Sequence, residues 1–376
     1  MKILFISNYS GLYGANRSML TIIEYLYKKS YDIMLILPSH GGICNELDKK
    51  GIPYKVFPMF TQLYYYKKNI KYIALPFLII STLLKIPYLI KFVKKINPDL
   101  IYSNTSAEMI GIKIAKKLEI KHISHIREFM DLDHGANFLF GEKRKKKYIN
   151  QSNGVIYVSK SVAKHVNMGE QLKDFQKVIY NGIQIHHNTF ANKPIRNELN
   201  LGVVGIFDPE KGQKLAIESM NNILKIYPKA KLHLWGDKEG AYKKEIIRLV
   251  KKLNLDKQII FHGFVKDLDY IYKDMDVLLM CSRCEGFGRV TIEAMSYGIP
   301  VLGYDSGGTS ELIKENINGY LFKSKEELVN KLCLLLKTEK HFNDIRKGAY
   351  DDAHKNYTIE EYCQSVEKFI NFIMSK

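Results

Sequence analysis

The chain alternates short apolar runs rich in Ile and Val with longer segments of helical periodicity, and it does so twice. That alternation is the pattern of βαβ units, in which buried parallel strands are joined by crossover helices. The spacing predicts strands over residues 2–7, 32–37, 54–57, 100–103, 122–125 and 154–158. The pattern then restarts, with strands predicted over 201–205, 231–235, 259–262, 277–280 and 301–303, which marks a second sheet. Between the two, residues 186–200 are polar, contain Pro194 and several Asn, and lack periodicity, as a linker does. A length of 376 residues also exceeds what one core usually holds. We therefore expect an α/β protein with a parallel-sheet domain over 1–185, a linker over 186–200 and a second such domain over 201–358. A final helix is expected over 359–376, with Tyr362, Val366, Phe369 and Ile373 on one face.

The formal net charge is +18, and residues 1–185 hold most of the excess, with 28 Lys or Arg against 13 Asp or Glu. A basic half suits nucleic acid, an anionic membrane surface or anionic substrates. No nucleic-acid-binding motif accompanies it, so nucleic acid is not expected as a partner. Lysines dispersed over solvated faces account for the charge as well as membrane attraction does. The most apolar stretch, residues 72–90, is interrupted by Pro76, Lys85 and Pro87 and is too short for a ~20-residue span. Its flanks, Lys67, Lys68, Lys71, Lys91, Lys94 and Lys95, fit a helix lying in a lipid interface. The alternative is a helix packed on the sheet of its own domain. The first residues enter a strand at once, without a signal peptide's charged and apolar segments, which predicts a cytoplasmic protein. Five cysteines without framework spacing indicate a reducing compartment, and the CxxC of Cys281 and Cys284 lacks the partners of a zinc or thioredoxin-like site.

The chemistry-bearing residues concentrate between Cys284 and Thr309. Glu285 and Glu293 stand seven intervening residues apart around the turn Gly286-Phe287-Gly288. From Arg289, the residues Val290, Ile292, Ala294 and Met295 recur at helix-like spacing. Glycines let the backbone approach a ligand closely, and a helix start offers unpaired amides and a positive dipole end to an anion. Glu285 would face whatever the anion is attached to. Glu293, about two turns on at ~3.6 residues per turn, would grip hydroxyls, and a phosphorylated sugar meets that description. Another glycine-bearing loop, Ser10 to Arg17 with Gly14, follows the first strand. Its glycines are not spaced GxGxxG, which disfavours a nicotinamide dehydrogenase; the plain alternative is a tight strand-to-helix turn. His125, Arg127 and Glu128 fall at a strand end, where open α/β sheets place their ligand crevice, although a histidine there also serves structure alone.

Taken together with Gly298-Ile299-Pro300-Val301, Ser306-Gly307-Gly308-Thr309-Ser310-Glu311, Tyr180-Asn181-Gly182-Ile183, Lys211-Gly212 and Gly236-Asp237, these motifs resemble, across nearly the whole chain, the retaining glycosyltransferases of family 4. The resemblance implies the GT-B fold: two Rossmann-like parallel-sheet domains facing each other across a cleft, an acceptor-binding N-terminal one and a nucleotide-sugar-binding C-terminal one, with the last helix crossing back. It implies transfer, with retention, of a sugar from a UDP- or GDP-linked donor to a growing, lipid-linked surface glycan at the inner face of the membrane. By the same resemblance Gly14 and Lys211 hold the diphosphate with Gly286, Phe287, Gly288, Arg289 and Val290. Glu285 holds the sugar, Glu293 the ribose, and His125 stands beside the donor sugar, so that His125, Glu285 and Lys211 are the expected catalytic set. Arg127 would balance phosphate charge, and Gly263 and Phe264 would lie near the base. No cofactor is implied, and with no metal-binding DxD aspartate pair in a suitable context no metal is expected either. The chain departs from the family at Ile206, where an arginine usually follows the glycine, which leaves Lys211 the main cation of its domain. Two other readings stand beside this one. A nucleotide-sugar epimerase of the same fold class would need acid and base groups around the sugar ring, and a non-catalytic nucleotide-sugar-binding scaffold is favoured by Ile206.

Overall fold

The computed structural model describes residues 1–59, 63–65, 75–107, 109–139, 141–185 and 189–376. In chain order the strands are β1 (Lys2–Ser7), β2 (Asp32–Leu37), β3 (Tyr54–Val56), β4 (Leu63–Tyr65), β5 (Leu100–Asn104), β6 (Lys121–Ile126), β7 (Ala136–Phe138), β8 (Gly154–Tyr157), β9 (Gln176–Val178), β10 (Asn200–Val204), β11 (Lys231–Trp235), β12 (Ile259–Gly263), β13 (Val277–Met280), β14 (Val301–Tyr304) and β15 (Gly319–Phe322). The chain divides into two compact units, Met1–Gly182 with Ile359–Lys376, and Ile183–Thr358.

Among the described residues, the first unit holds a seven-stranded parallel sheet in the order β3-β2-β1-β5-β6-β8-β9. Side chains alternate across it, as strand geometry requires. Ile3 and Phe5 face helices Gly14–Lys28 and Ile359–Ser375, while Leu4 and Ile6 face helices Leu75–Ile96 and Ile110–Leu118. The last helix seats Tyr362, Val366, Phe369 and Ile373 in this core. Its approach depends on Gly154 of β8, where a Cβ would come 2.8 Å from Ile373 and 2.9 Å from Phe369. A small antiparallel pair, β4 with β7, had no counterpart among the sequence expectations.

The second unit holds a six-stranded parallel sheet, again among the described residues, in the order β12-β11-β10-β13-β14-β15. Its strand β10 starts at Asn200, inside the segment read as a linker. Residues 186–188 of that segment lie outside the described residues, whereas Ala191 and Lys193 are fastened to helix Glu339–Asn356. The Arg346 guanidinium donates to the Ala191 carbonyl at 2.8 Å, and the Lys193 amide donates to Asn343 Oδ1 at 2.9 Å.

Residues 72–74 of the apolar stretch, with Lys67, Lys68 and Lys71, lie outside the described residues. Helix Leu75–Ile96 joins the two readings of the rest: Leu89 and Val93 are in the core, while Ile80, Leu84 and Tyr88, each four residues on, form an exposed apolar stripe. Among the described residues, no helix is long and apolar enough to cross a membrane. The five cysteines carry free thiols, and Cys44, Cys281, Cys284 and Cys363 are buried.

Candidate active site

In the second unit the strand order reverses between β10 and β13, and a crevice opens at the carboxyl ends of strands at such a switch point. The loop after β10 is drawn in by glycines. The Gly205 amide donates to the Trp235 carbonyl at 2.8 Å, and a Cβ on Gly236 would stand 2.0 Å from the Gly205 carbonyl oxygen. Asp208 caps the short 3-10 turn Pro209–Lys211 by accepting from the Glu210 amide, and Gly212, at φ +72°, ends it. A Cβ on Gly212 would fall 2.1 Å from the Cys281 carbonyl oxygen, so the turn lies directly against the end of β13. There the Lys211 ammonium meets the Glu285 carboxylate, Nζ to Oε1 at 2.6 Å, with side-chain exposures of 33% and 16%.

The loop carrying Glu285 is clasped by the loop after β14. The Gly308 amide donates to the Glu285 carbonyl at 2.7 Å, and a Cβ on Gly308 would come 2.7 Å from the Gly286 oxygen and 2.8 Å from Phe287 Cα. Phe287 is buried, and Gly288 caps helix Arg289–Ser296 at φ +95°, a left-handed conformation that glycine adopts without strain. Arg289 and Val290 occupy the first helical positions, at the positive end of the dipole. One turn on, the Glu293 side chain is only 7% exposed. Among the described residues its side-chain partners are distant: Arg289 Nη2 approaches Oε1 and the Tyr272 hydroxyl approaches Oε2, both at 3.5 Å, the outer limit of a hydrogen bond. Gly263, at φ +70°, ends β12 and accepts from the Gly236 amide at 2.8 Å, and Phe264 after it is exposed. Ile206 is 41% exposed, and its carbonyl accepts from Gln213 Nε2 at 2.8 Å.

In the first unit the corresponding reversal lies between β1 and β5. Gly14 opens helix Gly14–Lys28 after the β1 loop. The His125 ring, expected beside a donor sugar, is completely buried. Nδ1 lies 2.6 Å from the Tyr102 hydroxyl and accepts from Arg127 Nη2 at 3.2 Å, which leaves the ring proton on Nε2, a buried atom with no partner among the described residues. Burial, and then the Arg127 charge, hold this imidazole well below its ordinary pKa and therefore neutral. The reason is strand parity: His125 shares a face of β6 with Ile123, which is in the core under the terminal helix. Arg127 is a buried strut rather than a surface cation. It donates to Asn104 Oδ1, to Asn181 Oδ1 at 2.9 Å and to the Tyr362 hydroxyl at 3.1 Å, and so ties β5, the end of the unit and the terminal helix together. Glu128, also buried, accepts from the Ser106 amide at 2.7 Å.

The chain matches the family model Glycosyltransferase Family 4 over residues 13–187 and the model Glycosyl transferases group 1 over residues 187–352. It belongs to this glycosyltransferase family, and its two parallel-sheet α/β domains are those of the GT-B fold. It is similar to the poly(ribitol-phosphate) alpha-N-acetylglucosaminyltransferase of Staphylococcus aureus, with 28% identity over 70% of this chain and 52% of that protein. It is also similar to protein CapJ of Staphylococcus aureus, with 28% identity over 51% of this chain and 49% of that one. The matches thus span about half the length of these relatives. In fold the chain superposes on Anabaena HepE, solved in complex with UDP, with a TM-score of 0.81 and 22% identity over 99% of this chain and 100% of that one.

Proposed function

We propose that the protein is a retaining glycosyltransferase that moves a sugar from a nucleotide-diphosphate donor, UDP- or GDP-linked, to a growing glycan carried on a lipid. The observation that carries this reading is the Lys211–Glu285 pair, 2.6 Å apart at the switch point of the second unit, with Glu293 enclosed one helix away. A diphosphate is a better partner for the ammonium than a single carboxylate. On binding it takes the lysine's N–H donors together with the start of helix Arg289–Ser296, and Glu285 is released to accept from sugar hydroxyls. Glu293, with long contacts only, accepts from the ribose diol. The acceptor oxygen attacks the anomeric carbon from the face the diphosphate leaves, forming the C–O bond as the C–O bond to phosphate breaks. The leaving phosphate oxygen takes the acceptor proton. Glu285 is not assigned as a nucleophile, since its role is to hold the donor.

A family member named as an N-acetylglucosaminyltransferase and a fold relative solved with UDP favour UDP over GDP as the carrier. The exposed stripe of Ile80, Leu84 and Tyr88, followed on the same helix by Lys91, Lys94 and Lys95, supports peripheral attachment to an anionic membrane, where a lipid-linked acceptor is found. The exposed Ile206 favours one rival, a scaffold that binds nucleotide sugar without turning it over. The test is nucleotide release from UDP- and GDP-sugars with lipid-linked glycan as acceptor, followed by NMR of the new anomeric centre. Acceptor-dependent release with a retained anomer supports the proposal. An inverted product contradicts it, and donor binding without any release supports the scaffold.

A further inference from the structure

The β1 loop, residues 8–13, is tied down more completely than a connection requires. Fully buried Asn16 holds it from beneath: Nδ2 donates to the carbonyls of Tyr9 and Gly11, both at 2.9 Å, and Oδ1 accepts from Ser7 Oγ at 2.8 Å and Asn104 Nδ2 at 3.2 Å. The β2 loop braces it from the side. Ser10 Oγ donates to the Ser39 carbonyl at 2.6 Å, the Ile43 amide donates to the Ser10 carbonyl at 3.1 Å, and a Cβ on Gly41 would stand 2.4 Å from that same oxygen. What this rigid loop presents is an aromatic ring in water, for Tyr13 is 70% exposed. The ring lies over Gly11, where a Cβ would come 2.5 Å from Cε2 and 2.8 Å from Cδ2, and it stands 6.4 Å from the Tyr9 ring. Only a residue without a side chain leaves room for that seat. The adjoining Leu12 is exposed too.

A mobile exposed tyrosine needs no explanation. One carried on a loop that a buried asparagine and a second loop hold fixed, with its ring lying over a glycine at the carboxyl end of β1 where its sheet reverses order, is a prepared contact surface. Its ring offers a flat apolar face with a polar tip, the complement of the C–H face of a pyranose with its hydroxyl rim. We propose that Tyr13 is the stacking platform for a sugar ring of the acceptor glycan, an inference that rests on the glycosyltransferase reading above. Gly11 and Asn16 are then positioning residues for the platform.

The test uses the methyl α- and β-pyranosides of glucose, galactose and N-acetylglucosamine as probes in saturation-transfer NMR, with UDP calorimetry on the same samples. The wild type is expected to bind at least one probe through the ring protons of one face. Tyr13→Ala should weaken that binding roughly 3- to 10-fold and Tyr13→Phe by less than about twofold, the range expected for losing or keeping an aromatic contact. Gly11→Ala, which pushes a methyl into the ring's seat, should weaken it with the tyrosine still present. UDP affinity should stay at the wild-type value in all three variants. No probe binding by the wild type at tens of millimolar, or equal binding by Tyr13→Ala, overturns the inference while UDP binding still upholds the parent reading. Failure of the wild type to bind UDP counts against the parent reading itself.

Discussion

Glu285→Gln separates two effects that an ordinary loss of function would merge. The substitution keeps the shape of the side chain and removes its charge, at a position where the carboxylate is mostly enclosed and 2.6 Å from Lys211. A hydrogen bond to a charged group contributes about 1.5–3 kcal/mol, so losing the grip on the sugar should cut kcat/KM roughly 10- to 150-fold. For free UDP the sign is opposite. In the unliganded protein Glu285 occupies Lys211, and when the diphosphate is bound a carboxylate stands near an anion. Two unit charges ~6 Å apart at an effective dielectric of ~20 repel by about 2.8 kcal/mol. Partial exposure of the pair discounts this to about 1 kcal/mol, or roughly fivefold tighter UDP binding in the variant. Calorimetry with UDP and a nucleotide-release assay on the same preparation, with circular dichroism to show an intact fold, read both numbers. Near-normal turnover, or UDP affinity falling in parallel with transfer, would refute the reasoning.

Glu293→Gln should weaken UDP itself roughly 10- to 150-fold, because its proposed partner is the ribose, with little change in thermal midpoint, since its neighbours are only at 3.5 Å; unchanged UDP affinity would remove it from the site. Burial pushes the His122 imidazole down to about 3, burial with His262 and Lys231 pushes His233 to about 4, and His125 is lowered as well. The unfolded chain takes up these protons near pH 6.5 and the folded chain does not, so stability should be full above that pH and fall below it by about 1.4 kcal/mol per unit for each of the fully buried His122 and His125, with a smaller share from the partly exposed His233. Denaturant titrations between pH 7 and 4.5 check this, and a flat profile, or an unchanged slope in His122→Gln, contradicts it. Leu84→Asp should release the protein from anionic vesicles in co-sedimentation without altering UDP binding; a wild type that ignores such vesicles ends the membrane reading.

The strand ends and turns of the second unit were readable because their signals are local: a glycine at a positive φ or a close approach, an apolar run before it, a helix after it. What could not be read was pairing across distance. Lys211 and Glu285 are 74 residues apart, and no pattern in either neighbourhood marks their contact. Strands β4, β7, β9 and β15 went unpredicted, and length alone is not the reason, since the equally short β3, β8, β13 and β14 were predicted. The first unit ends at Gly182 rather than at 185, and β10 begins inside the polar segment, because packing rather than composition sets both limits. The burial of His125 was within reach: two residues beyond the core residue Ile123 on one strand, it had to point the same way. Tyr272, which approaches Glu293, announces itself by no motif, and Asn181, although it lies in the Tyr180-to-Ile183 motif, gives no sign there that it anchors Arg127.

The central claim is that a nucleoside diphosphate binds at the β10/β13 switch point through Lys211. Calorimetric titration of UDP into the wild type and into Lys211→Ala tests it most directly. The account predicts measurable binding to the wild type and a loss of at least tenfold in the variant, the effect of removing one charge-assisted contact of about 1.5–3 kcal/mol. Equal affinities in the two proteins would contradict it and place the anion elsewhere on the fold.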